Sequence, residues 1–187
     1  IWDSGKVFSD KSILIPFKGL KLKSSEVYYW RVRIWNDEDK VSAWSQINTF
    51  ATGLLVNSDW GNAQWISMEK DEGRVKGIHY QEEAALPTQK VGMYKLPQFR
   101  KQFRVKDKKI SRAFAYVSGL GHFDFFLNGG KVGNHFLDAG WTLYDKEAFY
   151  VSFDITDLLQ RGENVLGIML GNGFYYVPQE RYFKLLI

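Results

Sequence analysis

The chain has 187 residues, 45% of them hydrophobic and 17% aromatic, with a net charge of +4 and no cysteine. That length suits one large domain or two small ones, and the apolar share is well above that of a disordered chain. Without cysteine there is neither a disulfide framework nor a thiolate metal site, and no apolar run reaches the ~18 residues of a membrane helix. The densest basic run, Lys106-Asp107-Lys108-Lys109, reads as a solvated turn between strand-like segments, with no helix-borne basic stripe. Nucleic acid is therefore set aside as a partner.

In chain order, "SILIPF" (12–17), "VYYWRVRIW" (27–35) and "INTFAT" (47–52) read as strands. In the second, Tyr28, Trp30, Val32 and Ile34 alternate with Tyr29, Arg31 and Arg33, which predicts that the first set is core. Leu22 followed six residues later by Tyr28 has the spacing of a tyrosine corner, in which the phenol pins the strand entry to upstream backbone. With the "SAWS" segment before the last strand, residues 1–53 resemble the C-terminal part of a fibronectin type III sandwich. About four strands are present where ~7 complete such a sandwich. "GLLVNSDW" (53–60) reads as a linker, and "AQWI" (63–66) as the start of a second unit. Residues 67–98 form a long polar stretch with scattered Gly and Pro. A loop of that length in a compact domain is mobile or functional.

Regular structure returns with strands at 98–105, 111–119, 122–129, 146–155 and 164–170. Within 122–129, Phe123, Phe125 and Leu127 alternate with Asp124 and Phe126, so one face is buried and the other partly so. Asn128-Gly129 is a strong hairpin signal, because both central positions of a type I′ turn need positive φ. "DITDLLQRGEN" (154–164) spells a single helical turn. Asp154 or Thr156 caps it, Ile155, Leu158 and Leu159 face inward, and Gly162 ends it in the left-handed region. The aromatic and β-branched excess agrees with strands throughout. The fold class is all-β: a partial fibronectin type III-like sandwich (1–53) followed by a jelly-roll β-sandwich (60–187).

"FRKQFRV", "AYVSGLGHFDFFLNGGKVG", "AGWTLYDK" and "YVSFDITDLLQRGENVLGIMLGNGFY" occur in this order. Together they resemble the N-terminal jelly-roll module of bacterial α-L-rhamnosidases, and residues 1–53 are similar to the fibronectin-like domain that precedes it. "NGxxVG" and "DITDLLxxGEN" are shared with the sugar-binding jelly rolls of β-galactosidases and β-glucuronidases; "GWTLYDK" and "LGNGFY" are more specific. The resemblance implies a modular glycoside hydrolase that releases L-rhamnose at an (α/α)6 barrel C-terminal to these modules. The partners it implies are that catalytic domain and rhamnose-containing polysaccharide, in the periplasm or outside the cell. The opening at "IWDSGKV" and the close at "RYFKLLI" both read as cut ends, so a fragment is expected.

Glycoside hydrolysis needs two carboxyl groups about 5–9.5 Å apart around a sugar. Asp124 lies in an apolar strand while Asp138 and Asp145 flank a loop, so no opposed pair is identifiable, and the chain alone is expected to be catalytically silent. The resemblance also implies a calcium-assisted rhamnose site just after "NGxxVG". Here that place holds Asn134 and His135, with Asp138 beyond. Calcium takes six to eight oxygens, several from carboxylates, so no metal or other cofactor is expected. Sugar recognition without metal would use aromatic platforms and amide or carboxylate groups. The candidates are Asn134, His135, Asp138, Trp141, Tyr144, Asn172 and Tyr175, with Phe174 and Tyr176 beside them. His79, His122 and His135 have no metal-binding spacing. The rival readings are a structural spacer and a lectin-like module, either free-standing or of the β-galactosidase type.

Overall fold

The computed structural model describes residues 1–9, 11, 13–67, 96–106, 109–171, 173 and 175. Most of the long polar stretch, with His79, lies outside the described residues. The chain divides into two compact units, Ile1–Gln64 and Trp65–Ile187. Among the described residues, regular structure is β-strand apart from two single 3-10 turns, Asn57–Trp60 and Thr156–Leu158.

In the first unit β1 (Val27–Trp30) pairs antiparallel with β2 (Asn48–Ala51), in the register Val27↔Ala51 to Trp30↔Asn48. The tyrosine corner forms: Lys23 N–H donates to the Tyr28 hydroxyl at 2.7 Å, and the Tyr28 ring stacks on Phe50 with centroids 5.4 Å apart. Past Trp30 the ladder changes character. Val32 N–H donates to Ser45 Oγ and Ile34 N–H to Ser42 Oγ, so serine hydroxyls replace the carbonyls a partner strand would present. Ser45 N–H and Ser42 N–H donate back to the Val32 and Ile34 carbonyls.

Two expectations fail here. No strand forms among the described residues of 12–17; Leu14 adopts φ +53, which breaks an extended run, and its side chain is exposed. The face expected to be core is open as well, with Trp30 46%, Val32 51% and Ile34 70% exposed. A two-stranded sheet has nothing to bury a face against, and no second sheet opposes it among this unit's described residues. Residues 53–60, read as a linker, carry the turn Asn57–Trp60. Asp59 fastens it by accepting from Leu55 N–H, Val56 N–H and the Ser24 hydroxyl.

In the second unit β3 (Gln98–Val105), β8 (Gly162–Gly171), β5 (His122–Leu127) and β6 (Gly130–Lys131) form one antiparallel sheet in that order. β4 (Phe114–Ser118) and β7 (Tyr150–Asp154) form a second. Side chains from both meet in one core: Phe123, Phe125 and Leu127 from β5, Val117 from β4, Phe153 from β7, then Val132, Ala139 and Ile155. Phe125 and Phe153 touch across the layer with centroids 5.2 Å apart. Alternation in β5 is as expected, with Phe123, Phe125 and Leu127 no more than 4% exposed. Burying each such side chain stabilises by roughly 1.5–3 kcal/mol. This is the β-sandwich predicted from the pattern.

Asn128 and Gly129 take φ +51 and +86, which makes the β5–β6 hairpin a type I′ turn. Asn128 also reaches under the sheet. Its Oδ1 accepts from Val165 N–H, and its Nδ2 donates to the Leu158 carbonyl and to Asn164 Oδ1. Asn164 is wholly buried, and its amide bonds the Gln160 N–H and the Gln160 and Gly162 carbonyls. Before the second turn Asp154 Oδ1 accepts from both Thr156 N–H and its hydroxyl. Ile155 is buried and Leu159 packs on the core, but Leu158 is exposed. With only Thr156–Leu158 helical, the α-periodicity that would align 155, 158 and 159 does not apply. Among the described residues β3 is an outer strand, paired to β8 alone, and it presents exposed Arg100, Lys101 and Arg104.

Candidate functional site

The candidate residues centre on the loop between β6 and β7. Its near end is set by Val132, whose N–H donates to the Phe125 carbonyl and whose side chain is buried, and by Gly133 at φ +77. A Cβ on Gly133 would stand 3.2 Å from the Phe153 ring, so glycine permits both the conformation and the close approach. Two bonds hold the middle of the loop to β5. Phe123 N–H donates to the Asp138 carbonyl at 2.7 Å, and His122 Nδ1 lies 3.1 Å from the Leu137 carbonyl. Ala139 then enters the core, and the Ser118 hydroxyl donates to the Phe149 carbonyl at the far end.

On this frame His135 and Asp138 come together, with Nδ1 to Oδ2 at 3.2 Å. The His135 ring lies against Phe153, 5.8 Å between centroids. Asp138 is the more sheltered, its side chain 19% exposed against 50% for His135. Tyr144 and Tyr175 also meet, edge to face at 5.6 Å. Trp141 is 63% exposed and Asn134 is exposed. Asn172, Phe174 and Tyr176 lie outside the described residues. Of the other acids considered, Asp124 is paired with Lys131 at 2.6 Å. Among the described residues no group of three or more His, Cys, Asp or Glu side chains is placed to hold one metal ion.

Sequence reasoning missed several side chains of the same loop. Phe136 (84% exposed), Leu137, Leu143 and Phe149 are all turned to solvent, and Lys131 Nζ sits 4.9 Å above the Phe136 ring. The only signal was the density of apolar residues in "HFLDAGWTL", a stretch with neither strand nor helix period. Contiguous exposed apolar side chains on a well-anchored loop are a mark of contact surfaces.

Residues 108–184 match the family model described as the α-L-rhamnosidase N-terminal domain, and residues 1–56 match the Rha78A-like, N-terminal immunoglobulin domain. The chain is N-terminal sequence of the α-L-rhamnosidase family. An α-L-rhamnosidase of Formosa agariphila is 42% identical over 179 residues, which cover 94% of this chain and 18% of the relative. One from Alteromonas sp. is 34% identical over 176 residues, 93% of this chain and again 18% of the relative. The α-L-rhamnosidase structure from Dictyoglomus thermophilum matches with a TM-score of 0.75 at 36% identity, covering 93% of this chain and 19% of that one. The Aspergillus terreus enzyme gives 0.71 at 30% identity, over 89% and 18%. The chain thus spans about a fifth of the length of the α-L-rhamnosidases it matches. The immunoglobulin description of the first unit and the fibronectin type III expectation denote one architecture, the two-sheet sandwich.

Proposed function

We propose that these residues are a non-catalytic accessory region of an α-L-rhamnosidase, which supports the catalytic part of the same polypeptide and offers a surface to rhamnose-containing glycan. The observation that carries the reading is the 133–149 loop. It is fastened to β5 and β4 at three points, yet it holds Phe136, Leu137, Trp141, Leu143 and Phe149 outward. Holding these large apolar groups in water is unfavourable unless another surface covers them. The domains of the longer polypeptide are the covering surface, and these modules position the barrel that cleaves the glycoside.

The glycan contact uses the same loop. Trp141 and the Tyr144–Tyr175 pair give ring faces for the C–H side of a sugar, while Asn134, His135 and Asp138 give hydrogen-bonding groups. Isothermal titration of the chain with L-rhamnose, with and without calcium, tests this part. Binding at millimolar sugar that is lost in Trp141→Ala supports it; no heat and no change in melting temperature leaves the supporting role alone. That role is tested in the longer polypeptide, where Phe136→Ser with Trp141→Ser is expected to expose the catalytic part to limited proteolysis. The isolated chain is expected to release no rhamnose from an aryl rhamnoside, and turnover by purified chain would refute the accessory reading.

A further inference from the structure

The first unit carries a second arrangement that neither reading above uses. Arg31 and Arg33 both lie over the Trp44 indole, their Cζ atoms 4.5 and 4.4 Å from the ring centroid. Arg33 also lies 5.1 Å from Trp35, and Lys6 Nζ is 5.9 Å from the same ring. Cations and indoles thus alternate along one edge: Lys6, Trp35, Arg33, Trp44, Arg31. Lys6 is ion-paired with Asp39. Neither arginine has an acidic partner among the described residues, and Arg33 Nε is buried with no hydrogen-bond partner among them. Arg31 is exposed, and a guanidinium held over an indole carries its N–H donors around the rim of its plane, where a ligand can reach them.

A pre-stacked guanidinium fork with no carboxylate of its own is complementary to a planar or tetrahedral oxyanion, which it binds through two parallel hydrogen bonds. Tyr29 stands two residues before Arg31 on the same side of the extended chain and is 68% exposed. The two Cα positions are about 6.6 Å apart along the chain. That distance matches the reach from the apolar face of one pyranose to an acidic group on the same or the next sugar. We propose that the Tyr29–Arg31–Arg33–Trp44 edge binds an acidic saccharide, one that carries a carboxylate or sulfate group. This site is independent of the rhamnose reading, since it lies on the other unit and selects a charged sugar.

The test is an NMR titration of the 187-residue chain with methyl β-D-glucuronide, with methyl β-D-glucoside as the uncharged control. The glucuronide is expected to shift the Trp44 and Trp35 indole N–H and the Arg31 Nε–H signals, and the glucoside to leave them in place. Arg31→Gln is expected to weaken the glucuronide about tenfold, as loss of a bidentate charged pair should. Arg31→Lys keeps the charge, removes the fork and should weaken it as well, which covers the case in which the glutamine variant does not fold. Tyr29→Ala should weaken the glucuronide and leave the response to inorganic sulfate unchanged. Equal shifts with glucoside would overturn the proposal, as would unchanged binding in both Arg31 variants. So would a glutamate-rich peptide that binds as tightly as the glucuronide, since the partner would then be protein.

Discussion

Replacing Asn164 with leucine tests the load carried by the buried amide pair. Asn164 has no exposed surface, and its side chain makes four hydrogen bonds: to Gln160 N–H, to the Gln160 and Gly162 carbonyls, and to Asn128 Nδ2. At about 1 kcal/mol net for each bond, with a further cost for any partner left dry, leucine would lose more than 4 kcal/mol if every partner were stranded. Two corrections reduce this. Gln160 is exposed, so water reaches its backbone, and Asn128 Nδ2 keeps its bond to the Leu158 carbonyl. The expected loss is therefore about 3 kcal/mol, concentrated where the 154–164 turn meets β8. The two units need not unfold together, so hydrogen exchange followed by mass spectrometry on peptides from β5 and β8 is the appropriate assay. Protection there should fall more than a hundredfold, because each 1.4 kcal/mol is a factor of ten. Asn128→Ala with Asn164→Ala should cost less than the two singles together, because they share a bond. A decrease of less than tenfold for Asn164→Leu would refute the reasoning, and so would strict additivity.

Two glycines separate strain from collision: Gly129→Ala, at φ +86 with nothing within 4 Å, should cost about 1 kcal/mol in the same assay. Gly121→Ala would place a Cβ 2.4 Å from the Gly171 carbonyl oxygen, so the β5–β8 pairing should open, and equal effects of the two would contradict this. Tyr28→Phe removes the hydroxyl that accepts from Lys23 N–H and should lower the stability of the first unit by about 1 kcal/mol in urea, monitored by tryptophan fluorescence. The Asp154 carboxyl is held below its usual range, first by the Thr156 hydroxyl and then by the Thr156 N–H. A depressed folded value means that its stabilisation is full above about pH 4 and is lost as pH falls through that lowered value. Melting temperature against pH should therefore drop less steeply on the acid side in Asp154→Asn, and parallel curves would contradict the assignment.

Local chemistry explains which elements could be read in advance. The strand Gln98–Val105 coincides with its predicted bounds, and the Asn128-Gly129 turn needs only the rule that both positions require positive φ. The tyrosine corner was equally legible, since its contact is five residues away along the chain. The failures share a different cause. Alternation in 27–35 assigns side chains to two sides, but burial of either side needs a second sheet, which no local pattern supplies. "SILIPF" has the hydrophobicity of a strand and a left-handed residue at Leu14. In the loop, the His135–Asp138 pair joins two residues already singled out. The outward Phe136 and Leu137 escaped notice because an irregular segment has no period to read.

The outermost strand β3 carries a consequence for how such a molecule stays in solution. Eight residues of extended backbone with only one described neighbour would template further pairing between copies. Arg100 and Lys101 place like charges along that border, beside Arg104 in its pair with Glu163, so a second copy approaching strand to strand meets repulsion before its hydrogen bonds can form. Neutralising Arg100 and Lys101 should favour fibrous deposits that grow from this margin, while leaving the interior of the fold untouched.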